Sequence, residues 1–374
     1  MMEVQVSPPL RIAFLLNNLN GGGAERAAVT VANTLAEKGH EVSLVLNRRQ
    51  GPYLADVSEQ VKVVVLGQRM LYVLPLLLKR LRRERFDAVL TVLDQPSIAA
   101  LLLKPFIGKT RIIVVECNNP LPVEGGPRKP VWRLVRSLRR WLYPRSDHII
   151  SKSEGIKYAL ITHFGCRAGQ VTAIANPVDM ARIDMLSAES SDHRWLTDRE
   201  TSVILAVGRL EPQKDYATLL YAFALLRQSR RARLIILGEG GERSALEALA
   251  QRLGIAGDVD MPGFARNPYA LMRDSDLYVL SSRWEGWPNA LVEALACGTP
   301  VVATDCDSGP RDILLDGEFG TLVPVGDVDA LARAMHVALD APRDMDELKR
   351  RAGAFTPEKT ALAYKDVIRK VMTR

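Results

Sequence analysis

Short apolar runs alternate with amphipathic helical stretches through most of this sequence, and that alternation leaves few folds open. The run RIAFLLNNL leads into GGGAER, then the helical pattern AAVTVANTLAEKG, then a second run, HEVSLVLN. A strand, a glycine-rich turn, a helix and a strand in that order begin a parallel α/β sheet. Further strands are predicted at 61–66, 86–93, 111–116 and 147–153, and Asn176-Pro177 marks a break. After an acidic, polar stretch over 184–200, the alternation resumes with SVILAVGRL, RARLIILGEG, DVDMPGF, DLYVLSS, TPVVATD and GTLVPV, with helices between them. Two successive parallel units follow, residues 1–177 and 178–355. The fold class is α/β, with two Rossmann-like parallel-sheet domains facing a cleft at the carboxyl ends of their strands, where such sheets take ligands.

That arrangement admits a dinucleotide-dependent oxidoreductase, which needs G-x-G-x-x-G directly after a strand. Residues 20–26 read NGGGAER, so the spacing is wrong. The glycines still let backbone approach a ligand at the start of the following helix. Charge separates the two halves: residues 1–177 hold 25 Lys and Arg against 13 Asp and Glu, a balance of +12, and the remainder is −5. An anionic partner of the N-terminal half is implied, membrane phospholipid before nucleic acid, because no basic-aromatic strand platform or groove-reading motif is present. The opening MMEVQVSPPL lacks the pattern of a signal peptide, and LYVLPLLL is too short to span a bilayer. Four widely spaced cysteines, without C-x-x-C, fit neither a zinc site nor a disulfide framework. A reducing cytoplasm is the expected location.

In SSRWEGWPNALVEALACGTPVVATD, residues 281–305, two carboxylates stand eight positions apart, Glu285 and Glu293. On one helix they would share a face poorly. Pro288 suits the first turn of a helix, which places Glu285 in the preceding loop and Glu293 one to two turns inside. Both then look past a helix N-terminus whose amides, at Asn289, Ala290 and Leu291, attract an anion. Arg209 and Lys214 follow the first strand of the second unit, and a guanidinium fork with a mobile ammonium suits a diphosphate. A carboxylate accepts two hydroxyl hydrogen bonds, which suits a vicinal diol. The set fits a nucleotide sugar, gripped at both ends with its diphosphate between.

E-x7-E after a strand, within G-x-P-x-x-x-V-E-A-x-A-x-G-x-P-V-V-A-T, resembles the retaining glycosyltransferases of family 4, whose fold is GT-B. GGGAER, NPVD, VGRLEPQKD, LGEGGER and SGPRDIL extend the resemblance along nearly the whole chain. It implies that Glu293 holds ribose hydroxyls, Glu285 a donor-sugar hydroxyl, and Arg209 with Lys214 the diphosphate, with Gly286 and Trp287 in the same donor-binding loop. Amides near Gly22 and Gly23 would meet the donor phosphate, and the segment from about 356 to 374 would cross back to the N-terminal domain. Many relatives carry a histidine in the loop after RIIVVE; here that loop reads ECNNP, with Cys117 at the place and Asn118 as a substitute hydrogen-bonder. The implied retaining mechanism needs no protein nucleophile.

Asp305-Cys306-Asp307 and Asp274-Ser275-Asp276 both read D-x-D, but their settings, a loop after one strand and a helix end before another, argue against a metal pair. No metal and no other cofactor is expected. His163 reads as a surface or core residue, and Cys297 as core. In residues 128–145, Val131, Leu134, Val135, Leu138, Trp141 and Leu142 form one apolar stripe, and Lys or Arg takes seven of eighteen positions. A basic amphipathic helix with tryptophans predicts a membrane-surface element made by Lys129, Trp132, Arg133, Arg136, Arg139, Arg140 and Trp141. The alternative is a stripe packed on its own domain. The expected function is a retaining, metal-independent hexosyltransferase, peripheral on the inner face of the cell membrane. It would move a sugar from a nucleotide diphosphate, UDP in first place, to a lipid-linked glycan in surface-polysaccharide or lipid-linked-oligosaccharide assembly. A sugar-nucleotide epimerase or hydrolase of the same fold, or a membrane-bound scaffold with a vestigial donor site, are the alternatives.

Overall fold

The structure, a computed structural model, describes residues 8–20, 22–67, 74–121, 130–191, 193–197 and 201–373, with side chains in the helix that opens at Pro130 described from Leu134 onward. Two compact units divide the chain, one holding residues up to Pro177 together with Pro357–Arg374, the other centred on Val178–Thr356.

Among the described residues, unit 1 is built on seven parallel strands: β1 (Arg11–Leu16), β2 (Glu41–Leu46), β3 (Lys62–Val65), β4 (Ala88–Val92), β5 (Arg111–Glu116), β6 (His148–Ser151) and β7 (Val171–Ala173). They lie in the order β3-β2-β1-β4-β5-β6-β7. The helices between them are α1 (Gly23–Glu37), α2 (Leu74–Glu84), α3 (Asp94–Leu103), α4 (Pro130–Leu142) and α5 (Glu154–Phe164). Both faces of the sheet are covered, so its strands read as continuous apolar runs rather than alternating ones. Ile12, Phe14 and Leu16 of β1 join Val31 and Leu35 of α1 in one buried layer, and Ala13 and Leu15 join Leu77, Leu142 and Leu160 in the other. Burying each large apolar side chain here contributes about 1.5–3 kcal/mol.

Unit 2 repeats the plan with six strands: β8 (Ser202–Val207), β9 (Ala232–Leu237), β10 (Val259–Gly263), β11 (Leu277–Leu280), β12 (Val301–Thr304) and β13 (Thr321–Val323), ordered β10-β9-β8-β11-β12-β13. Its helices are α6 (Met180–Ser187), α7 (Arg194–Thr197), α8 (Tyr216–Ser229), α9 (Arg243–Arg252), α10 (Tyr269–Asp274), α11 (Asn289–Ala296), α12 (Pro310–Leu314), α13 (Val328–Asp340) and α14 (Met345–Ala352). Ile204 and Ala206 pack on Leu219 and Phe223 of α8 and on Leu331 and Met335 of α13. The last helix, α15 (Pro357–Met372), belongs to unit 1, where Tyr364 and Ile368 enter the α1 layer. Among the described residues no helix is long and apolar enough to cross a membrane.

Candidate active site

In an open parallel sheet, the crevice for a ligand opens where strand order reverses, outside the carboxyl ends of the two diverging strands. In unit 2 that point lies between β8 and β11, which pair with each other and connect to opposite sides of the sheet. The two loops leaving it, 208–215 and 281–288, hold Arg209, Lys214 and Glu285. The topology alone therefore brings together residues some seventy positions apart.

The loops are tied to each other. Arg283 N–H donates to the Gln213 carbonyl at 2.9 Å, the Gln213 side-chain amide to the Trp284 carbonyl at 2.9 Å, and Ser281 Oγ to the Lys214 carbonyl at 2.7 Å. Arg283 Nε donates to Asp215 Oδ2 at 3.0 Å, and Thr218 Oγ1 donates to the same oxygen at 2.8 Å. Asp215 sits at φ +48°, a left-handed conformation that costs a non-glycine residue free energy and persists where its surroundings over-determine it. That turn sends Lys214 toward the crevice and Tyr216 into the core, where its ring is buried.

Glu285 is buried and fully engaged. Lys214 Nζ lies 2.6 Å from its Oε1, Ser282 Oγ donates to the same oxygen at 2.7 Å, and the Gln213 amide reaches Oε2 at 3.4 Å. Ser308 Oγ donates to the Glu285 carbonyl, and Thr304 Oγ1 to that of Ser282 at 2.6 Å, so the end of β12 braces the loop. Gly309, at φ +98°, lets this second layer close in, since a Cβ there would strike Pro288 Cδ and the Gly286 carbonyl. Arg209 is exposed at the mouth, while Gly286 and Trp287 are buried in the loop.

Glu293 is buried on α11. The Tyr278 phenol is pushed well up, first by burial and then by the charges of Tyr216, Glu285 and Glu293. The hydroxyls of Tyr216 and Tyr278 have no hydrogen-bond partner among the described residues. Two details differ from the sequence reading. Pro288 is the residue before α11 rather than in its first turn, and the Leu291 N–H donates to the Pro288 carbonyl at 3.0 Å, which tightens the turn and takes that amide away from an anion. Asn289 and Ala290 open the helix, both half-buried.

Unit 1 presents its own carboxyl edge. Gly22 precedes α1 and Gly23 opens it, both exposed, but the Glu25 carboxylate already leans over Gly22, where a Cβ would meet its Oε2. An acid at a helix start satisfies the dipole that a phosphate would use. Asn118 is exposed, and its backbone N–H donates to Glu116 Oε1 at 3.3 Å. Cys117 is half-buried, and burial, ahead of the charges around it, pushes its thiol up to about 12, so it offers no thiolate at neutral pH. Three of the four D-x-D carboxylates are engaged within the protein, and Asp307 is exposed. Asp305 pairs with Arg311, Asp274 with Arg273 at 2.9 Å, and Asp276 accepts the Val203 N–H at 2.7 Å. Among the described residues no group of three or more His, Cys, Asp or Glu side chains could hold a metal ion. His163 is exposed and Cys297 lies in the core.

On α4 the structure corrects one residue of the membrane set. Arg139 is buried, ion-paired with Glu116 and, at 3.2 Å, with Asp94, because two acids from the sheet edge and α3 reach its side of the helix. Leu142 is buried in the domain, and Val135 and Leu138 pack against that core, so most of the described stripe serves the fold. Arg136, Arg140 and Trp141 are exposed, as is Leu134. Lys129 lies outside the described residues, as do the side chains of Trp132 and Arg133. The reading from sequence missed Gln213, Asp215, Ser282, Arg283 and Ser308. The polar Ser281-Ser282-Arg283 run directly after a buried strand was the signal that could have found three contacts of this site.

Known proteins place this geometry in a family. Residues 21–182 match the family described as Glycosyltransferase Family 4, and residues 188–355 the one described as Glycosyl transferases group 1. The N-acetylgalactosamine-N,N'-diacetylbacillosaminyl-diphospho-undecaprenol 4-alpha-N-acetylgalactosaminyltransferase of Campylobacter jejuni is 31% identical over 94% of this chain and 97% of its own length. A second Campylobacter jejuni enzyme, which adds α-1,4-N-acetyl-D-galactosamine to a GalNAc-containing diNAcBac-PP-undecaprenol, is 30% identical over 92% of each chain. Among solved structures, a glycosyltransferase from Rickettsia africae superposes with a TM-score of 0.80 at 14% identity, covering 98% of this chain and 99% of its own. Anabaena HepE in complex with UDP gives 0.77 at 20% identity, covering 96% and 100%. The chain belongs to the family 4 glycosyltransferases, enzymes of GT-B fold that act on nucleotide-sugar donors.

Proposed function

We propose that this enzyme transfers a sugar, with retention of anomeric configuration and without a metal, from a UDP sugar to a lipid-diphosphate-linked glycan at the membrane surface. The observation that carries the reading is the convergence of Lys214, Glu285 and the start of α11 at the switch point of unit 2, with Arg209 at its mouth. Arg209 and Lys214 take the diphosphate, Glu285 a sugar hydroxyl and Glu293 the ribose diol. Lys214 then bridges two acceptors, so the group that stabilises the leaving phosphate also positions the carboxylate that orients the sugar. The bond from the anomeric carbon to phosphate breaks as the acceptor oxygen bonds to that carbon on the same face, and the acceptor proton passes to the departing phosphate oxygen. The protein's part is electrostatic stabilisation of the developing charge, commonly the largest contribution to such catalysis.

The acceptor reading is supported by the two Campylobacter jejuni relatives, both named for α-transfer to undecaprenol-diphosphate-linked saccharides. The membrane reading is supported by Arg136 and Arg140 standing exposed beside Leu134 and Trp141, on a unit whose sequence carries the positive excess. The test is a panel of nucleotide sugars offered with a polyprenyl-diphosphate-linked N-acetylhexosamine, with chelator present and the product examined by NMR. The expected result is a glycolipid that keeps the donor's anomeric configuration. An inverted product removes the retaining assignment. Donor hydrolysis or epimerisation that is indifferent to the acceptor removes the transferase reading for this acceptor class.

A further inference from the structure

A buried cluster in unit 1 has no part in the donor grip. Glu116, the last residue of β5, is 4% exposed and shares its carboxylate between two elements. Its Oε2 accepts from the Arg139 guanidinium and from Tyr143 Oη at 2.9 Å, both at the end of α4 or just past it. Its Oε1 accepts the backbone N–H of Asn118 at 3.3 Å, in the loop that leaves β5. Arg139 forks onward to Asp94 at the start of α3 and lies over the rings of Tyr143 and Phe164, at 5.1 and 5.6 Å.

Stability alone does not account for the cluster. A buried ion pair commonly does no better than an apolar replacement of the same volume, and its best-attested use is to fix a register. The register fixed here joins α4 to the loop Cys117–Asn119. That loop stands at the carboxyl edge of the sheet, the edge at which open parallel sheets take ligands. The outer face of the same helix carries the exposed Arg136, Arg140 and Trp141.

We propose that Arg139 is a positioning residue: through Glu116 it holds the Cys117–Asn119 loop in the form that receives the acceptor, and so links the surface of α4 to the transfer step. The inference rests on the transferase reading above. Burial pushes the Glu116 carboxyl up and the Arg139 guanidinium opposes that, so a chain without the guanidinium should release Asn118 progressively as Glu116 takes a proton. The charged and titratable groups facing this carboxyl are Arg139 and Tyr143 from the α4 side, Asp94 from α3, Cys117 from the loop itself, and Cys166 beyond α5.

The experiment compares the full-length wild type with Arg139→Met and Arg139→Lys. Hydrogen exchange at the Asn118 amide reads the loop without needing any acceptor. It should quicken at least tenfold in Arg139→Met and less in Arg139→Lys, while the β5 amides from Ile112 to Val115 stay protected. Transfer to the polyprenyl-diphosphate-linked N-acetylhexosamine should lose at least tenfold in kcat/KM for the acceptor, with UDP affinity and vesicle binding within twofold of wild type. The loss in Arg139→Met should deepen as pH falls, and Arg139→Lys should recover part of it. Unchanged Asn118 exchange, or unchanged acceptor kcat/KM, overturns the proposal. Equal losses of UDP affinity, vesicle binding and acceptor use also overturn it, because they mark general support of the fold. If Arg139→Met does not fold, Arg139→Lys decides by the same exchange measurement. If wild type transfers nothing while Arg139→Met still quickens Asn118 exchange, the transferase reading is overturned and the tether stands.

Discussion

The two units share a sheet plan but secure their carboxyl edges differently. In unit 2 the loops at the switch point are tied to each other by Gln213, Ser281 and Arg283, with Lys214 and Glu285 in contact between them. In unit 1 the edge is tied outward, to helices: Glu116 to Arg139 on α4, and Lys152 to Tyr364 on α15 at 2.6 Å. Loops bound to each other make a rigid receptor for an invariant ligand part, such as a diphosphate. In the function proposed above, the fixed half of the reaction falls to unit 2 and the adjustable half to unit 1.

The largest expected effect comes from breaking the unit 2 contact. Lys214→Ala should lower turnover by roughly a hundred- to a thousandfold, the cost of losing one strong electrostatic stabiliser of a leaving group. Steady-state kinetics should also separate the two acids: Glu293→Ala weakening nucleotide binding, Glu285→Ala slowing transfer with less effect on free nucleotide. Identical behaviour of those two variants would erase the division of roles.

The next effect belongs to unit 1 and to stability. Burial pulls the Lys152 ammonium from its ordinary 10.5 down to about 8. Between these values the unfolded chain binds a proton that the folded chain does not, so stability should rise with pH from about 8 to about 10.5, by on the order of 3 kcal/mol. Thermal melts across that range should show the rise in wild type and its absence, as a difference between the two proteins, in Lys152→Met. Parallel pH profiles would mean that Lys152 titrates as an exposed lysine does.

Smaller again is the membrane contribution. Arg136→Ser with Arg140→Ser should weaken binding to anionic vesicles by about 2 kcal/mol, at about 1 kcal/mol per basic residue, while donor affinity stays put; salt should mimic part of the change. Arg139 must stay in place in that variant, since it faces the protein interior. Sedimentation equal to wild type would turn α4 into a domain-packing helix. The smallest effect is expected at Asp307→Asn, a half of one D-x-D: activity within twofold of wild type, with chelator present or absent. A metal-restored activity would contradict the metal-free account.

Much of this was legible in the sequence because burial on both faces writes strands as unbroken apolar runs. RIIVVE became β5 to the residue, and the strands expected in unit 2 all formed. The carboxylates and cations of the donor site were legible as types at a strand end. Their partners were not: Lys214 and Glu285 lie 71 positions apart, and only the strand order makes them neighbours. Arg139 was misread for a related reason. A stripe counts apolar residues on one helix and sends every arginine to its back, whereas the acids that draw this one inward, Asp94 and Glu116, are remote in sequence. At Asp215 the residue type allows a left-handed turn, but Arg283, which holds its carboxylate together with Thr218, is remote in sequence.

The central claim, that unit 2 alone carries the fixed grip on the donor, is tested most directly by calorimetric titration of UDP into wild type, Lys214→Ala and Arg139→Met. The account predicts binding in wild type, at least tenfold weaker binding in Lys214→Ala, and wild-type affinity in Arg139→Met. Wild-type affinity in Lys214→Ala, or a loss in Arg139→Met as large as that in Lys214→Ala, would contradict it.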